Sequence, residues 1–218
     1  MAKYDAVLFD VDGTLLDSAP GILGTLRRTF AQMGADVPES TLRRYLGPPL
    51  RASFGEWFSD GADVEKAVAL YRADYHARGS HECLPYPGAA EMLRRLQQGG
   101  VRLYTATCKP VHVVEPMLAE QGLRGFFTRI GGASPDASAE TKTAVIRSLL
   151  DLPELQGCRV LMAGDRADDL QGAAACGIPA AAVLYGYGSA AELAPLPCVF
   201  AARCPQELTQ FVLDGETQ

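Results

Sequence analysis

The order of its hydrophobic segments is the feature that most constrains how this chain can fold. The uninterrupted apolar run Ala6–Phe9 is typical of a strand that is buried on both faces of a parallel sheet. The following stretch, from about Ala19 to Leu84, has helical periodicity and contains no convincing strand. From Pro85 onward, predicted strands and helices alternate, as in parallel α/β folds. We therefore predict an α/β core with a helical segment inserted after the first strand.

The pattern predicts two domains and individual elements within each. The core would comprise residues 1–15 and 85–218, and the helical domain residues 16–84. Expected core strands after the first are Val101–Thr107, Thr128–Ile130, Arg159–Ala163 and Ala180–Leu184. Expected core helices are Ala89–Gln98, Val111–Gln121, Thr141–Leu150, Leu170–Cys176, Ala190–Leu193 and Pro205–Leu213. In the insert we expect a helix from Ala19, one over Ser40–Tyr45, one that contains Phe54, Trp57 and Phe58, and one over Val64–Arg78.

Composition and charge limit which binding partners and which cellular compartment we expect. The net charge of −6 gives no reason to expect a nucleic acid polymer or an anionic membrane as partner. No apolar run reaches the roughly 18 residues of a membrane span. The six cysteines form no C-x-x-C pair, and the first residues lack the apolar core of a signal peptide. We therefore expect a cytoplasmic protein with reduced thiols.

Two carboxylates follow the first strand, in the motif Asp10–Thr14. Asp10 and Asp12 are two residues apart, so on an extended chain they point to the same side. Such a pair can bind a divalent cation and can divide the roles of nucleophile and acid/base. Taken alone, the motif fits a simple turn or a calcium loop equally well.

Polar residues also follow the later strands. Thr107 closes the second core strand, just before a helix, where a hydroxyl can bind phosphate oxygens. Lys142 lies in the first turn of a helix, where the macrodipole disfavours a cation, so its presence suggests an anionic ligand. Asp165 and Asp169 belong to a group of three acids at the end of a buried strand, which would repel one another without a counter-ion. Each signal is weak alone, and all of them lie at ends of predicted strands or starts of helices.

In combination, these motifs resemble the haloacid dehalogenase-like (HAD) hydrolase superfamily, and in particular its phosphoglycolate-phosphatase-like branch. Asp10–Thr14 is similar to its first motif, Thr107 to its second, Lys142 to its third, and Gly164-Asp165 with Asp169 to its fourth. Two further stretches, Leu46–Leu50 and Tyr185–Ser189, are also similar to this branch. The resemblance implies a Rossmann-like parallel sheet with helices on both faces and an inserted all-helical cap domain that closes over the site.

The resemblance also implies a two-step phosphoryl transfer. Asp10 would attack phosphorus and form an aspartyl-phosphate, while Asp12 would protonate the leaving alcohol and then activate water. Thr107 and Lys142 would bind the oxygens of the transferred group. Thr105 remains the alternative to Thr107, because it lies two residues earlier on the same strand face.

The implied cofactor is Mg²⁺. Its ligands would be the carboxylates of Asp10 and Asp165 and the backbone carbonyl of Asp12, and Asp169 would orient the metal site from behind these ligands or through water. The cation and Lys142 would together offset the charge of an acidic site that binds phosphate.

Several reaction types remain within this resemblance. The acid at Asp12 argues against a dehalogenase, and Lys66 as the insert's single lysine argues against a phosphonatase. A phosphatase for small organic phosphates such as phosphoglycolate is the leading hypothesis, with a 5'-nucleotidase and a sugar phosphomutase as alternatives. A non-catalytic binding protein is disfavoured because no motif residue is lost. Arg51 would contact an anionic substrate group or remain solvated, and the protein would be a monomer or homodimer.

Overall fold

In the computed structural model, which describes residues 2–133 and 141–214, six parallel strands form one sheet. The strands in chain order are β1 (Ala6–Phe9), β2 (Leu16–Asp17), β3 (Leu84–Pro85), β4 (Arg102–Pro110), β5 (Arg129–Ala133), β6 (Val160–Gly164), β7 (Ala180–Val183) and β8 (Phe200–Ala202). The large sheet has the order β5-β4-β1-β6-β7-β8, and β2 and β3 form a separate two-stranded sheet.

Ten α-helices are present among the described residues. They are α1 (Ala19–Gln32), α2 (Glu39–Arg44), α3 (Leu50–Gly55), α4 (Gly61–Ala77), α5 (Ala89–Gln98), α6 (Val111–Glu120), α7 (Lys142–Leu150), α8 (Ala167–Ala175), α9 (Ala190–Leu193) and α10 (Pro205–Leu213). Short 3-10 helices cover Gly79–His81, Arg124–Phe126 and Pro153–Leu155. None of the described helices is long and apolar enough to cross a membrane.

The sheet is buried on both faces because its central strands are apolar throughout. Ala6 and Leu8 of β1 point to the face where α7 and α8 pack, together with Tyr104 and Met162. The alternate residues of β1 point to the opposite face, where α5 and α6 lie against β4. The predicted α/β fold with helices on both faces is confirmed.

The strand order places a topological switch at β1. From β1 the sheet is extended through β4 and β5 on one side, and the chain then returns to add β6, β7 and β8 on the other. Ala6 of β1 is aligned with Arg102 of β4 and with Val160 of β6. In open α/β sheets, ligands bind beyond the carboxyl ends of the strands at such a switch. We therefore expect a ligand-binding site at the carboxyl ends of β1, β4 and β6.

Some local predictions differ from the structure. Strand β8 was not anticipated, because its three residues are too few to show a period. Ser40 does not cap α2, because it lies inside the first turn of that helix; the residue before the helix is Pro38, with φ −59° and ψ 145°. Helix α3 ends at Gly55, so Trp57 and Phe58 lie beyond it rather than within it.

The described chain divides into two compact units. One extends to Asp17 and resumes at Pro85, and the other comprises Ser18–Leu84. In the second unit the rings of Phe54, Trp57 and Phe58 surround Phe30, with centroids 5.1, 5.9 and 6.1 Å from it. Arg51, for which we considered a contact with substrate, forms an ion pair of 2.6 Å with Glu65 within this unit.

Candidate active site

The ends of three neighbouring strands bring the predicted polar residues together. Asp10 directly follows β1, and its backbone N–H donates a hydrogen bond of 2.9 Å to the carbonyl of Ala163 in β6. Asp165 directly follows β6, and Thr107 lies near the end of β4. All three side chains are buried. The parallel arrangement thus collects residues that are far apart in sequence at one edge of the sheet.

Lys142 contacts this edge of the sheet from α7. It is the first residue of α7, whose N-terminus is capped by the Thr141 side chain, and it is 7% exposed. Its Nζ donates hydrogen bonds to Asp10 Oδ1 at 2.7 Å and to the Ala106 carbonyl at 2.8 Å. The same atom lies 2.7 Å from Asp169 Oδ1. Burial alone lowers the pKa of Lys142, but the charges of Asp10 and Asp169 outweigh this effect and raise it, so the ammonium stays charged.

Asp165 is completely buried and is held by the loop after β7. Its Oδ1 accepts a hydrogen bond of 3.1 Å from Thr14 Oγ1, and its Oδ2 accepts one of 2.7 Å from the Tyr187 backbone N–H. A Cβ atom on Gly13 would lie 2.3 Å from Asp165 Oδ2, and Gly13 also has a φ of +84°. Gly13 therefore allows a close approach that an alanine would prevent.

Asp169 is buried in the first turn of α8. Its Oδ2 accepts a hydrogen bond of 3.0 Å from the Arg166 backbone N–H, which caps the helix. Its Oδ1 lies close to Lys142 but accepts no hydrogen bond of good geometry from the described residues. A Cβ atom on Gly164 would lie 2.2 Å from Asp169 Oδ2, so a glycine is needed there as well.

The three buried carboxylates form a group that suits a hard divalent cation. One oxygen of each of Asp10, Asp165 and Asp169 lies within 4.8 Å of the others. Burial raises the pKa of Asp10 to about 6 although Lys142 opposes it, and burial followed by the charges of Asp10 and Asp169 raises the pKa of Asp165 to about 8. Mg²⁺ prefers oxygen ligands, and a cation would relieve the repulsion that Lys142 alone leaves. The burial, the chemistry and the raised pKa values of these carboxylates fit the expected cofactor.

Asp12 does not belong to this carboxylate group. Its Oδ1 lies 2.8 Å from the Nζ of Lys109, and the two side chains are 20% and 14% exposed. Our expectation for Asp12 as a metal ligand concerned its backbone carbonyl rather than its side chain. Lys109 was not among the predicted site residues, although it is one of four lysines in the chain and follows Thr107 by two positions.

The two threonines of β4 differ in their partners. Thr105 Oγ1 donates a hydrogen bond of 2.8 Å to the carbonyl of Gly131, so its hydroxyl hydrogen is already used. Thr107 Oγ1 instead accepts a hydrogen bond of 3.2 Å from the Lys109 backbone N–H. A hydroxyl that accepts in this way keeps its hydrogen for donation to another oxygen. This difference favours Thr107 over Thr105 as a residue that could bind phosphate.

Comparison with known proteins gives a family match over most of the chain. A family model described as haloacid dehalogenase-like hydrolase matches residues 7–183. The chain is also similar over nearly all of its length to a solved haloacid dehalogenase-like hydrolase, SP0104 from Streptococcus pneumoniae. The two are 32% identical, with a TM-score of 0.90 over 97% of this chain and 99% of the other.

Curated relatives have different names. The chain is 40% identical over 189 residues to tyrosine-protein kinase PtkA of Mycobacterium tuberculosis, covering 84% of this chain but 63% of that protein, which is less than two thirds of its length. It is 35% identical to a 5'-nucleotidase of Pseudomonas aeruginosa, over 88% of this chain and 87% of the other. It is 31% identical to a phosphoglycolate phosphatase of Rhodospirillum rubrum, over 84% and 80%.

Proposed function

The chain belongs to the haloacid dehalogenase-like hydrolase family, and on this premise we propose that it is a Mg²⁺-dependent phosphatase for small organic phosphate monoesters. The observation that carries the proposal is the group of buried carboxylates, Asp10, Asp165 and Asp169, two of which, Asp10 and Asp169, contact Lys142. A group of like charges that is costly to bury suggests a ligand set for a cation rather than a structural device.

In the first step, Asp10 is the nucleophile. Lys142 Nζ donates a hydrogen bond of 2.7 Å to Asp10 Oδ1 and so orients the carboxylate. A carboxylate oxygen of Asp10 forms a bond to phosphorus while the bond from phosphorus to the ester oxygen breaks. The departing oxygen takes a proton from the protonated carboxyl group of Asp12, and an aspartyl-phosphate remains on Asp10.

In the second step, Asp12 acts as a base. Its carboxylate takes a proton from water, the water oxygen forms a bond to phosphorus, and the bond between phosphorus and Asp10 breaks. This step releases inorganic phosphate and leaves Asp12 protonated for the next cycle. Thr107 and Lys142 donate hydrogen bonds to the oxygens of the transferred group in both steps.

The residues that would hold Mg²⁺ are Asp10 and Asp165, with the backbone carbonyl of Asp12 and with Asp169 in support. When bound, the cation supplies positive charge that offsets the charges of the phosphate and the carboxylates. The raised pKa values of Asp10 and Asp165 support this assignment, because these groups gain most from a neighbouring cation.

Two substrate classes deserve direct comparison. The motif resemblance and the relative from Rhodospirillum rubrum favour phosphoglycolate and similar small acids. The relative from Pseudomonas aeruginosa, which covers more of this chain, favours nucleoside monophosphates.

The test is phosphate release by the purified protein. The panel contains phosphoglycolate, nucleoside monophosphates, sugar phosphates, phosphotyrosine and an aryl phosphate, each with Mg²⁺ and with chelator. We expect chelator-sensitive hydrolysis of at least one compound and a decrease in kcat of at least about a thousandfold in Asp10→Asn. Asp168→Asn is the matched control, because Asp168 is an exposed acid close to the site in sequence, and it should retain activity.

Other outcomes would contradict the proposal. Hydrolysis that persists in chelator would argue against the metal, and full activity in Asp10→Asn would argue against the nucleophile. Because one relative is named a tyrosine kinase, the protein is also incubated with ATP. Tyrosine phosphorylation in the absence of any phosphate release from the panel would replace the phosphatase proposal.

A further inference from the structure

A second lysine contacts the other acid of the first motif, and it has no part in the mechanism above. Lys109 Nζ lies 2.8 Å from Asp12 Oδ1, while Lys142 Nζ lies 2.7 Å from Asp10 Oδ1. We infer that Lys109 is a positioning residue that orients the Asp12 carboxyl group for proton transfer to the leaving group. This inference rests on the proposed phosphatase function and adds a residue to it.

The backbone of Lys109 is held firmly. Its N–H donates a hydrogen bond of 3.2 Å to Thr107 Oγ1, and Pro110 directly after it marks the start of α6. A Cβ atom on Gly132 of β5 would lie 2.6 Å from the Lys109 carbonyl oxygen, so the neighbouring strand packs closely against this peptide. The side chain therefore starts from a fixed point at the end of β4.

The side chains of this ion pair are largely shielded from water. Lys109 is 14% and Asp12 20% exposed, and Lys109 Nζ also lies 3.9 Å from Met117 Sδ in α6. Exposed ion pairs contribute little because solvent and salt screen them and because two long side chains must be ordered. The interaction between Lys109 and Asp12 is screened less because both side chains are largely buried. The contact can therefore hold Asp12 in one rotamer.

Orientation matters at Asp12 because it is less buried than the carboxylates of the Mg²⁺ group. A carboxyl group that can rotate about χ1 and χ2 reaches a leaving oxygen in only some of its rotamers. A proton donor must be within hydrogen-bond reach of the oxygen that it protonates. A lysine that holds Asp12 in the reactive rotamer before the substrate binds lowers the entropic cost of orienting it during the reaction.

The test compares substrates whose leaving groups differ in their need for a proton. The alkyl phosphate that the wild type hydrolyses best needs protonation by Asp12, whereas 4-nitrophenyl phosphate releases a stable anion without it. In Lys109→Met we expect kcat/KM for the alkyl phosphate to fall by about 10- to 100-fold and that for the nitrophenyl ester to fall about 10-fold less. Using kcat/KM restricts the comparison to steps up to release of the first product.

Two further variants separate positioning from a general structural effect. Lys109→Arg keeps a cation and should restore part of the lost kcat/KM for the alkyl phosphate. In an Asp12→Asn background, Lys109→Met should cause no further loss, because residues that act through each other are not additive. Lys66→Met, at an exposed lysine of the helical unit, is the matched control and should keep wild-type kinetics. Circular dichroism checks that each variant is folded, and Lys109→Gln replaces Lys109→Met if the latter does not fold.

The outcomes are distinguishable. Equal losses for both substrates in Lys109→Met, or losses that add to those of Asp12→Asn, would overturn the role of Lys109 while leaving the phosphatase proposal intact. A wild-type protein that hydrolyses neither substrate would overturn both. A selective loss for the alkyl phosphate that disappears in the Asp12→Asn background would support the inference.

Discussion

At the scale of single residues, the candidate site buries charged side chains, and their desolvation costs free energy. Asp10, Asp165 and Asp169 are buried with Lys142 as the cation among them. Burial is the largest cause of the raised pKa of both Asp10 and Asp165. Such a site favours binding of a cation, because a divalent ion restores the balance of charge that the fold leaves unsatisfied.

This arrangement predicts an unusual pH dependence of stability in the metal-free protein. The ordinary carboxyl pKa is 3.8, whereas Asp10 and Asp165 titrate near 6 and 8 in the folded protein. Between pH 3.8 and about 6 for Asp10, and between pH 3.8 and about 8 for Asp165, the folded state binds more protons than the unfolded state. The free energy of unfolding therefore decreases as the pH rises through these two windows. We expect a decrease of roughly 1 kcal/mol per pH unit for each group within its window.

The measurement is urea unfolding in chelator at about pH 5, 6.5 and 8, which spans both titrations. Asp165→Asn is the matched comparison, since it removes one titrating group while keeping the shape of the side chain. We expect a shallower pH dependence in this variant and in wild type with Mg²⁺. Stability of the metal-free wild type that rises with pH across this range, or that changes equally in Asp165→Asn, would contradict the assignment.

At the scale of elements, the segment from the end of β6 into the first turn of α8 carries two of the three buried carboxylates, Asp165 and Asp169. Glu192 at α9 accepts hydrogen bonds of 2.9 Å from both Arg166 Nε and the Ala167 backbone N–H. The Arg166 backbone N–H in turn binds Asp169. Gly164 ends β6 where a side chain would collide with Asp169. This turn therefore links the end of a strand, a helix cap and a candidate metal ligand in one short segment.

Gly164→Ala should weaken Mg²⁺ binding without unfolding the protein. Its Cβ would come within 2.2 Å of Asp169 Oδ2 and force that carboxylate to move. Loss of a group that orients a metal site typically costs about 10- to 100-fold in metal affinity. Calorimetric titration with Mg²⁺ measures this change. Gly125→Ala is the matched control, because nothing lies within 4 Å of a Cβ there and its φ is not positive; equal Mg²⁺ affinity in the two variants would contradict the prediction.

At the scale of the whole molecule, the catalytic assignment depends on one sheet in which distant segments are neighbours. Residues 10 and 165 are close together because β1 pairs with β6, and Lys142 reaches Asp10 from a helix on one face of the sheet. A cation that binds these residues therefore connects segments that separate on unfolding. Binding to the folded state alone stabilises that state by mass action.

We accordingly expect Mg²⁺ to stabilise the protein as a whole. At about 100 times its Kd, Mg²⁺ should raise the free energy of unfolding by about 2.7 kcal/mol. Far-UV circular dichroism is the appropriate probe, because the single tryptophan, Trp57, lies in the helical unit and reports on that unit. Asp168→Asn should respond like wild type and Asp165→Ala should respond much less. An equal Mg²⁺ effect in both variants would show that the cation binds elsewhere.

Much of the fold could be predicted from local patterns. The strand Ala6–Phe9, the helices Ala89–Gln98 and Pro205–Leu213, and the alternation between them follow from apolar periodicity, which depends only on nearby residues. The short strand β8 could not be predicted, because three residues form a strand only when a neighbour such as β7 supplies the hydrogen bonds. The end of β4 was also misjudged, since pairing resumes at Pro110 after an irregularity that follows Thr107.

The sequence by itself determined which polar residues stand at the ends of strands or the starts of helices and which chemistry their types allow. Asp10, Asp12, Thr107, Lys142, Asp165 and Asp169 were selected from these positions and from the resemblance of their motifs to the haloacid dehalogenase-like family. Only the tertiary structure decided how these residues are paired: Lys142 with Asp10 and Asp169, and Lys109 with Asp12. It also decided that the Thr105 hydroxyl bonds to Gly131 while that of Thr107 does not. The physical reason is that periodicity and turn signals are local, whereas distances between side chains on different strands depend on strand order and register, which long-range packing sets.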